Sequence, residues 1–244
     1  MKEMDKIVYK DEYNHIISFG CMCSCAIFLK KNGFRDASYF FDWLTSDFFH
    51  NLEIIKNDFN DVNNSAFFKQ EYDGYPHMVT NEKYGFIYTH VFDTKKTYEK
   101  QKKGVDAYIN KRIKNTKKAI SDNALLLYYC RDLEEQRKIE ESSDLIKDFS
   151  KRFSLDFAFV FNNAVNDKFP FKSFIIPYNN IHYPIGGGVS FPFENGDLEK
   201  LIDWLKGKYN SEKIAKNLKH KTKKNYFKAI INRLNKHKKN RLKF

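Results

Sequence analysis

The residues most able to do chemistry crowd into one short stretch, Ser18-Phe-Gly-Cys-Met-Cys-Ser-Cys-Ala26. An apolar strand pattern, His15 to Phe19, runs into Gly20, and a helical pattern spans Cys23 to Lys31 and stops at Asn32-Gly33, where Gly33 suits the residue after a helix end. Backbone N–H groups at a helix start lack intrahelical acceptors, and the helix dipole is positive there. Both favour a thiolate over a thiol, so a cysteine in this place is expected to be acidic. The N–H groups around residues 23–25, those of Ser24 and Cys25 included, could also hold a developing oxyanion. Cys25 and Cys130 equally fit small buried apolar residues. A metal site is a third possibility, although C-x-C-x-C lacks the usual C-x₂₋₄-C pairs and has no nearby histidine. No cofactor motif occurs either: Gly186-Gly-Gly188 lacks the spacing of a phosphate loop and reads as a turn.

A cysteine nucleophile needs a base and a group to orient that base. Of seven histidines, His90 stands near the end of an apolar run, where open α/β sheets place their sites, and His182 comes second, in a loop before the three glycines. His15 lies in or beside the first strand, and His220 and His237 sit among lysines and read as solvated. Asp42, Asp93 and Asp132 are the acids considered. Asp42, between Phe41 and Trp43, is the most suggestive, since a carboxylate in apolar company needs a partner. That partner could be an imidazole, or simply Arg35 and the backbone. Arg131 follows a long apolar run and is positioned to bind a substrate carboxylate or phosphate, or to form an ordinary ion pair.

The elements that must position these groups follow from periodicity. Ser38–Leu44 is aromatic and expected to be buried, and 47–64 reads as irregular or short-helical. Tyr84–Phe92 reads as a strand, residues 104–121 as an amphipathic helix, and Ala124–Cys130 as a central parallel strand. Ser143 is expected to cap a helix burying Leu145, Ile146 and Phe149. Phe157–Phe161 and Ser173–Ile176 read as strands, and Asp197–Lys206 as a helix with Leu198, Leu201, Ile202 and Leu205 inward. Alternation of strands and helices predicts an α/β fold with a mostly parallel sheet flanked by helices, as a single domain over 1–207 with a basic helical C-terminal extension over 208–244.

Ser18-Phe-Gly-Cys-Met-Cys23, then Ala26, Leu29, Gly33-Phe-Arg35, Ser38 and Phe41-Asp-Trp-Leu44, resemble the opening of a bacterial domain family of unknown function catalogued as papain-like cysteine peptidases. That family shows Ser-Leu-Gly-x-Asn-Cys, then Gly-Leu-Arg and Pro-Phe-Asp-Trp. Thr89-His-Val-Phe92 resembles its histidine segment, and Leu125–Arg131 its apolar strand ending in arginine. The likeness spans roughly 13–165. It implies Cys23, rather than Cys21 or Cys25, as nucleophile, with His90 and Asp42 beside it. Met22 stands where the family has asparagine, which removes a side-chain oxyanion donor. Phe40 replaces proline, and Val91 replaces an acid, with Asp93 soon after.

Composition bounds the rest. The 42% hydrophobic and 17% aromatic content supports a sizeable core in 244 residues. No run of about 18 apolar residues predicts a membrane span, and the charged start, Met1 to Tyr13, lacks an apolar signal region. Three of the four cysteines within five residues suit a reducing, cytoplasmic setting. The formal charge of +12 concentrates at the C-terminus: Lys208–Phe244 holds fourteen Lys or Arg against Glu212 alone, +13, leaving −1 for the other 207 residues. Phe227, Ile230, Ile231 and Leu234 recur at helical spacing there, so residues 211–244 are expected to pack on the body or to lie on an anionic membrane surface; nucleic acid is not expected as a partner. Two functions stand against each other: a thiol enzyme acting on an acyl compound, as peptidase, amidase or acyltransferase, and a non-catalytic surface-binding protein.

Overall fold

The structure is a computed structural model, and it describes residues 6–21, 23–70, 79–88, 91–93, 95–177, 196–210 and 212–217. In chain order the elements are β1 (His15–Ser18), α1 (Cys23–Lys31), a 3₁₀ turn (Phe40–Trp43), β2 (Leu44–Thr45), α2 (Phe48–Lys56), a 3₁₀ turn (Ser65–Phe67), β3 (Phe68–Gln70), β4 (Val79–Asn81) and β5 (Phe86–Tyr88). There follow α3 (Tyr98–Ser121), β6 (Ala124–Cys130), α4 (Leu133–Glu141), α5 (Ser143–Phe153), β7 (Asp156–Phe161), β8 (Ser173–Ile175) and α6 (Leu198–Lys208).

The main sheet has the order β1-β6-β7-β8, and every pairing in it is parallel. A strand alternates its side chains between two faces, and both faces here are covered, so β6 is buried at all seven positions. Ala124, Leu126, Tyr128 and Cys130 join Phe157, Phe159 and Phe161 on one face, together with Phe19, Phe41, Phe48, and Val105 and Ile109 of α3. Leu125, Leu127 and Tyr129 join Ala158 and Val160 on the other, against Cys25, Phe28 and Leu29 of α1 and Leu201 and Leu205 of α6. Each buried Leu or Phe contributes roughly 1.5–3 kcal/mol of transfer free energy, so the sheet is where most of the stability resides. The α/β class and the parallel sheet are as the alternation predicts.

Several expectations change. A second sheet, antiparallel and ordered β2-β5-β4-β3, packs within the aromatic face. Among the described residues its strands run two or three residues each. Of the strand expected over Tyr84–Phe92, Phe86–Tyr88 is formed among the described residues; it starts after Gly85, which turns with a positive φ, and residues 89–90 lie outside the described residues. Leu145 is 56% exposed rather than inward, and the cap of α5 is Ser142, not Ser143. Helix α4 had no apolar stripe to announce it; only Gln136 and Ile139 are buried. The start of the presumed tail is tied to the body. Tyr13 N–H donates to the Lys208 carbonyl at 2.7 Å, Lys213 Nζ to the Asn14 carbonyl at 2.9 Å, and Asn217 Nδ2 to the Gly33 carbonyl at 3.0 Å. Residues 218–244 lie outside the described residues, so the extension's helix and its membrane contact go without a structural account. Among the described residues no helix is long and apolar enough to cross a membrane.

Candidate active site

The turn between β1 and α1 is held by the aromatic core beneath it. Phe19, fully buried, packs edge-on against Phe41 at 4.8 Å, Phe48 at 5.6 Å and Tyr128 at 6.3 Å. Phe19 N–H donates to the Leu127 carbonyl at 2.9 Å, which extends the parallel pairing one residue past β1, and its own carbonyl accepts from Asn51 Nδ2. The chain then reverses through two left-handed residues, Gly20 with φ +105° and Cys21 with φ +65°. At Gly20 a methyl would stand 2.5 Å from both Asn51 Nδ2 and Ser46 Oγ, so glycine is required by space as well as by φ. Cys21 has no such freedom. A non-glycine residue there costs on the order of 1–2 kcal/mol, strain that concentrates at working sites. Its N–H donates to the Ser46 carbonyl at 3.2 Å.

Cys23 opens α1 immediately after this turn and is half-buried. Two strands' ends meet here: β1 has passed Leu127 in register, and β6 ends at Cys130 and continues into Arg131. The thiol turn and Arg131 therefore share the C-terminal edge of the parallel sheet, where ligands of open α/β sheets bind. The Arg131 guanidinium pulls the thiols of both Cys21 and Cys23 downward, and the Cys23 backbone N–H does the same for its own sulfur. Burial is nevertheless the larger influence. It raises Cys23 above the ordinary thiol range, pushes Cys21 up to about 11 and Cys25 up to about 12, and raises Cys130 too. The acidic thiol expected from the helix start is thus reversed in direction, because desolvation disfavours the charged form more than Arg131 and one N–H favour it.

The remaining cysteines do not converge on Cys23. Cys25 faces the α1–α6 side of the sheet, fully buried, with Sγ donating to the Leu127 carbonyl at 3.6 Å. Cys21 packs toward the opposite, aromatic face. Among the described residues no group of three or more His, Cys, Asp or Glu is placed to hold an ion. With their side chains buried, Ser24 and Cys25 can offer a substrate only their backbone N–H groups.

Asp42 is fully buried in the 3₁₀ turn, where one oxygen, Oδ2, accepts from Arg35 and from Tyr39 N–H at 2.7 Å. Its other oxygen is buried without a hydrogen-bond partner among the described residues. Burial raises its carboxyl, opposed by Arg35, Tyr39 N–H and Arg112. Asp132 instead caps α4, accepting from Glu135 N–H at 2.8 Å, and Asp93 pairs with Lys96 at 3.0 Å. His90 and His182, the two candidate bases, lie outside the described residues. His15 is at the far end of β1, and His50, on α2, pairs with Asp47.

Three groups near the turn carried little sequence signal. Glu135 accepts from Phe48 N–H at 2.8 Å, from the Tyr128 hydroxyl, and from Cys130 Sγ at 3.3 Å, and burial raises its carboxyl. Its charge is the second influence raising Cys21, after burial. The only hint was the Asp132-x-x-Glu135 pattern, which resembles a capping box. Ser46 Oγ and Asn51 Oδ1 are buried beneath the turn without hydrogen-bond partners among the described residues, and nothing in sequence marked them.

Comparison with known proteins follows the same segment. Residues 14–166 match the model of a family described as putative papain-like cysteine peptidase (DUF1796). No curated protein and no solved structure matches the chain.

Proposed function

The chain belongs to the family described as putative papain-like cysteine peptidase (DUF1796), and from that premise we propose a thiol-dependent enzyme that attacks an acyl substrate with Cys23. The observation that carries the reading is the placement of this sulfur. It is partly exposed, follows a strained left-handed turn, starts a helix, and has Arg131 for a neighbour.

Cys23 Sγ would bond to the substrate carbonyl carbon after its proton passes to a base, for which His90 is the candidate. N–H groups of residues 23–25 would face the resulting oxyanion. Collapse would expel the leaving group with that proton and leave a thioester. Water would then release the acid, as in a peptidase or amidase. A sugar hydroxyl or an amine as acceptor would make the same thioester an acyltransferase intermediate. Asp42 is the acid proposed to orient the imidazole, through the oxygen that Arg35 does not use. Arg131 would receive a substrate carboxylate or phosphate. Four free thiols suit a reducing compartment such as the cytoplasm.

Because burial raises Cys23, the isolated turn does not supply a thiolate, and the imidazole has to. The pH profile of iodoacetamide labelling, read by peptide mass spectrometry, tests this. The expected result is Cys23 labelling that persists below about pH 8 and falls sharply in His90→Ala, with Cys23→Ser folded but unlabelled there. The raised thiol favours a second reading, a non-catalytic binding protein. Labelling that rises only above the ordinary thiol range, and is indifferent to His90→Ala, would select it.

A further inference from the structure

The body's formal charge of −1 conceals a segregation. Helix α3 holds eight basic residues against two acids, a net of +6. At 3.6 residues per turn, Lys100, Lys103, Lys111, Lys114 and Lys118 fall within an arc of about 80°, and the row is about 27 Å long. All five are exposed. The buried residues Val105, Ile109, Arg112, Thr116 and Ala119 occupy the opposite side of the helix. Neither acid of α3 enters the row: Asp106 accepts from the Tyr98 hydroxyl at 3.1 Å, and Glu99 lies outside the arc. Lys117, off the row, pairs with Asp58 at 2.7 Å, whereas none of the five lysines has an ion pair among the described residues. Like charges at three- and four-residue spacing repel, so the row destabilises its own helix until an anionic surface meets it.

The ground between the lysines is low. Gly104 and Ala107 lie in or beside the row, and a methyl on Gly104 would meet nothing within 4 Å. Mid-helix glycine is unfavourable, and packing does not require it here. What it permits is close approach of a broad surface to the helix backbone.

We propose that this face of α3 docks on the anionic headgroups of a lipid bilayer. A straight row of ammonium groups on a convex helix meets a plane at all five points. The row contains no arginine fork and no aromatic platform, the groups that commonly engage nucleic acid. It contains no large apolar residue either, so the helix rests on the headgroups without inserting, and the contact is electrostatic and weakened by salt.

Full-length protein is sedimented with phosphatidylcholine vesicles containing about 30% phosphatidylserine, with pure phosphatidylcholine vesicles, and with duplex DNA. Two five-fold Lys→Gln variants remove equal charge: one at Lys100, Lys103, Lys111, Lys114 and Lys118, the other at Lys221, Lys223, Lys224, Lys228 and Lys236 in the C-terminal segment. The α3 lysines are exposed and unpaired and repel one another, so that variant should melt at or slightly above the wild-type temperature, which is checked first. Wild-type protein is expected to bind only the anionic vesicles. The α3 variant should lose at least about tenfold in apparent affinity, more than the C-terminal variant does. Equal losses in the two variants, undiminished binding by the α3 variant, wild-type protein that ignores the vesicles, or a preference for DNA would each overturn the proposal.

Discussion

The two ends of β1 both carry clusters of polar groups and treat them in opposite ways. At its start, His15 Nδ1 meets Asp36 at 2.8 Å and the Tyr39 hydroxyl at 3.1 Å, and Nε2 meets Asp122 at 3.0 Å. Both ring nitrogens face carboxylates, the arrangement an imidazolium requires. Past its end, Cys21 sits in a left-handed conformation, Ser46 Oγ and Asn51 Oδ1 lack partners among the described residues, and burial raises every thiol. A polar cluster with its bonds made fastens elements together. One left short of bonds, on a strained backbone, is held there at a cost, and such costs gather where a molecule meets its ligand. By that contrast His15 is a fastener joining β1, the loop after α1 and the end of α3, and the thiol turn is the place we propose for the site.

The sharpest way to break the contrast is Gly20→Ala. A methyl 2.5 Å from Ser46 Oγ and Asn51 Nδ2, at φ +105°, should destabilise the protein by about 3 kcal/mol or more through overpacking and backbone strain. Thermal unfolding reads this, and a melting temperature within a degree of wild type would mean that the turn is slack and the strain argument fails.

A smaller effect is expected at the other end. His15→Gln should cost roughly 0.5–1.5 kcal/mol near pH 6, because Asp122 is half-exposed and solvent screens its pair with the imidazole. The two carboxylates and their bonds raise His15, against burial and the nearby Lys213 charge. A raised imidazole stabilises fully below its unfolded pKa of about 6.5 and loses that contribution as pH rises through the folded value. Asp36 and Asp122 are lowered, so their contributions hold above the ordinary carboxylate range and fade in acid. The difference between wild type and variant should therefore shrink on the alkaline side. Denaturant unfolding across pH 5–9 measures it, and a pH-independent difference would leave His15 as packing only.

The smallest effect concerns charge at the thiol turn. Glu135→Gln keeps an oxygen for Phe48 N–H and Tyr128 but removes the carboxylate that helps raise Cys21. The Cys21 thiol, at about 11, should become more acidic by a fraction of a unit to about one unit. Alkylation rate against pH at that peptide reports it, and an unchanged profile would place the Glu135 charge out of reach of the turn.

How much of this was legible beforehand varies with range along the chain. The bounds of α1, Cys23–Lys31, and of β6, Ala124–Cys130, follow from local signals: a glycine on each side of one and an unbroken apolar run in the other. The loop acids were not assignable in that way. Asp42, Asp93 and Asp132 look alike in sequence, yet one is buried on Arg35, one pairs with a lysine, and one caps a helix. Ser46, Asn51 and Glu135 come 26, 31 and 115 residues after Gly20 and reach the turn only because β2, α2 and α4 fold back on it.

The sequence by itself determined the α/β class, the parallel strands and the cysteine-bearing turn at the head of a helix, since periodicity and glycine placement act within a few residues. Tertiary structure alone decided the direction of the Cys23 shift, the company Asp42 keeps, and the isolation of the lysine row on α3. Desolvation and Coulomb interaction depend on distance in space and on what excludes water. Both are set by which elements pack together.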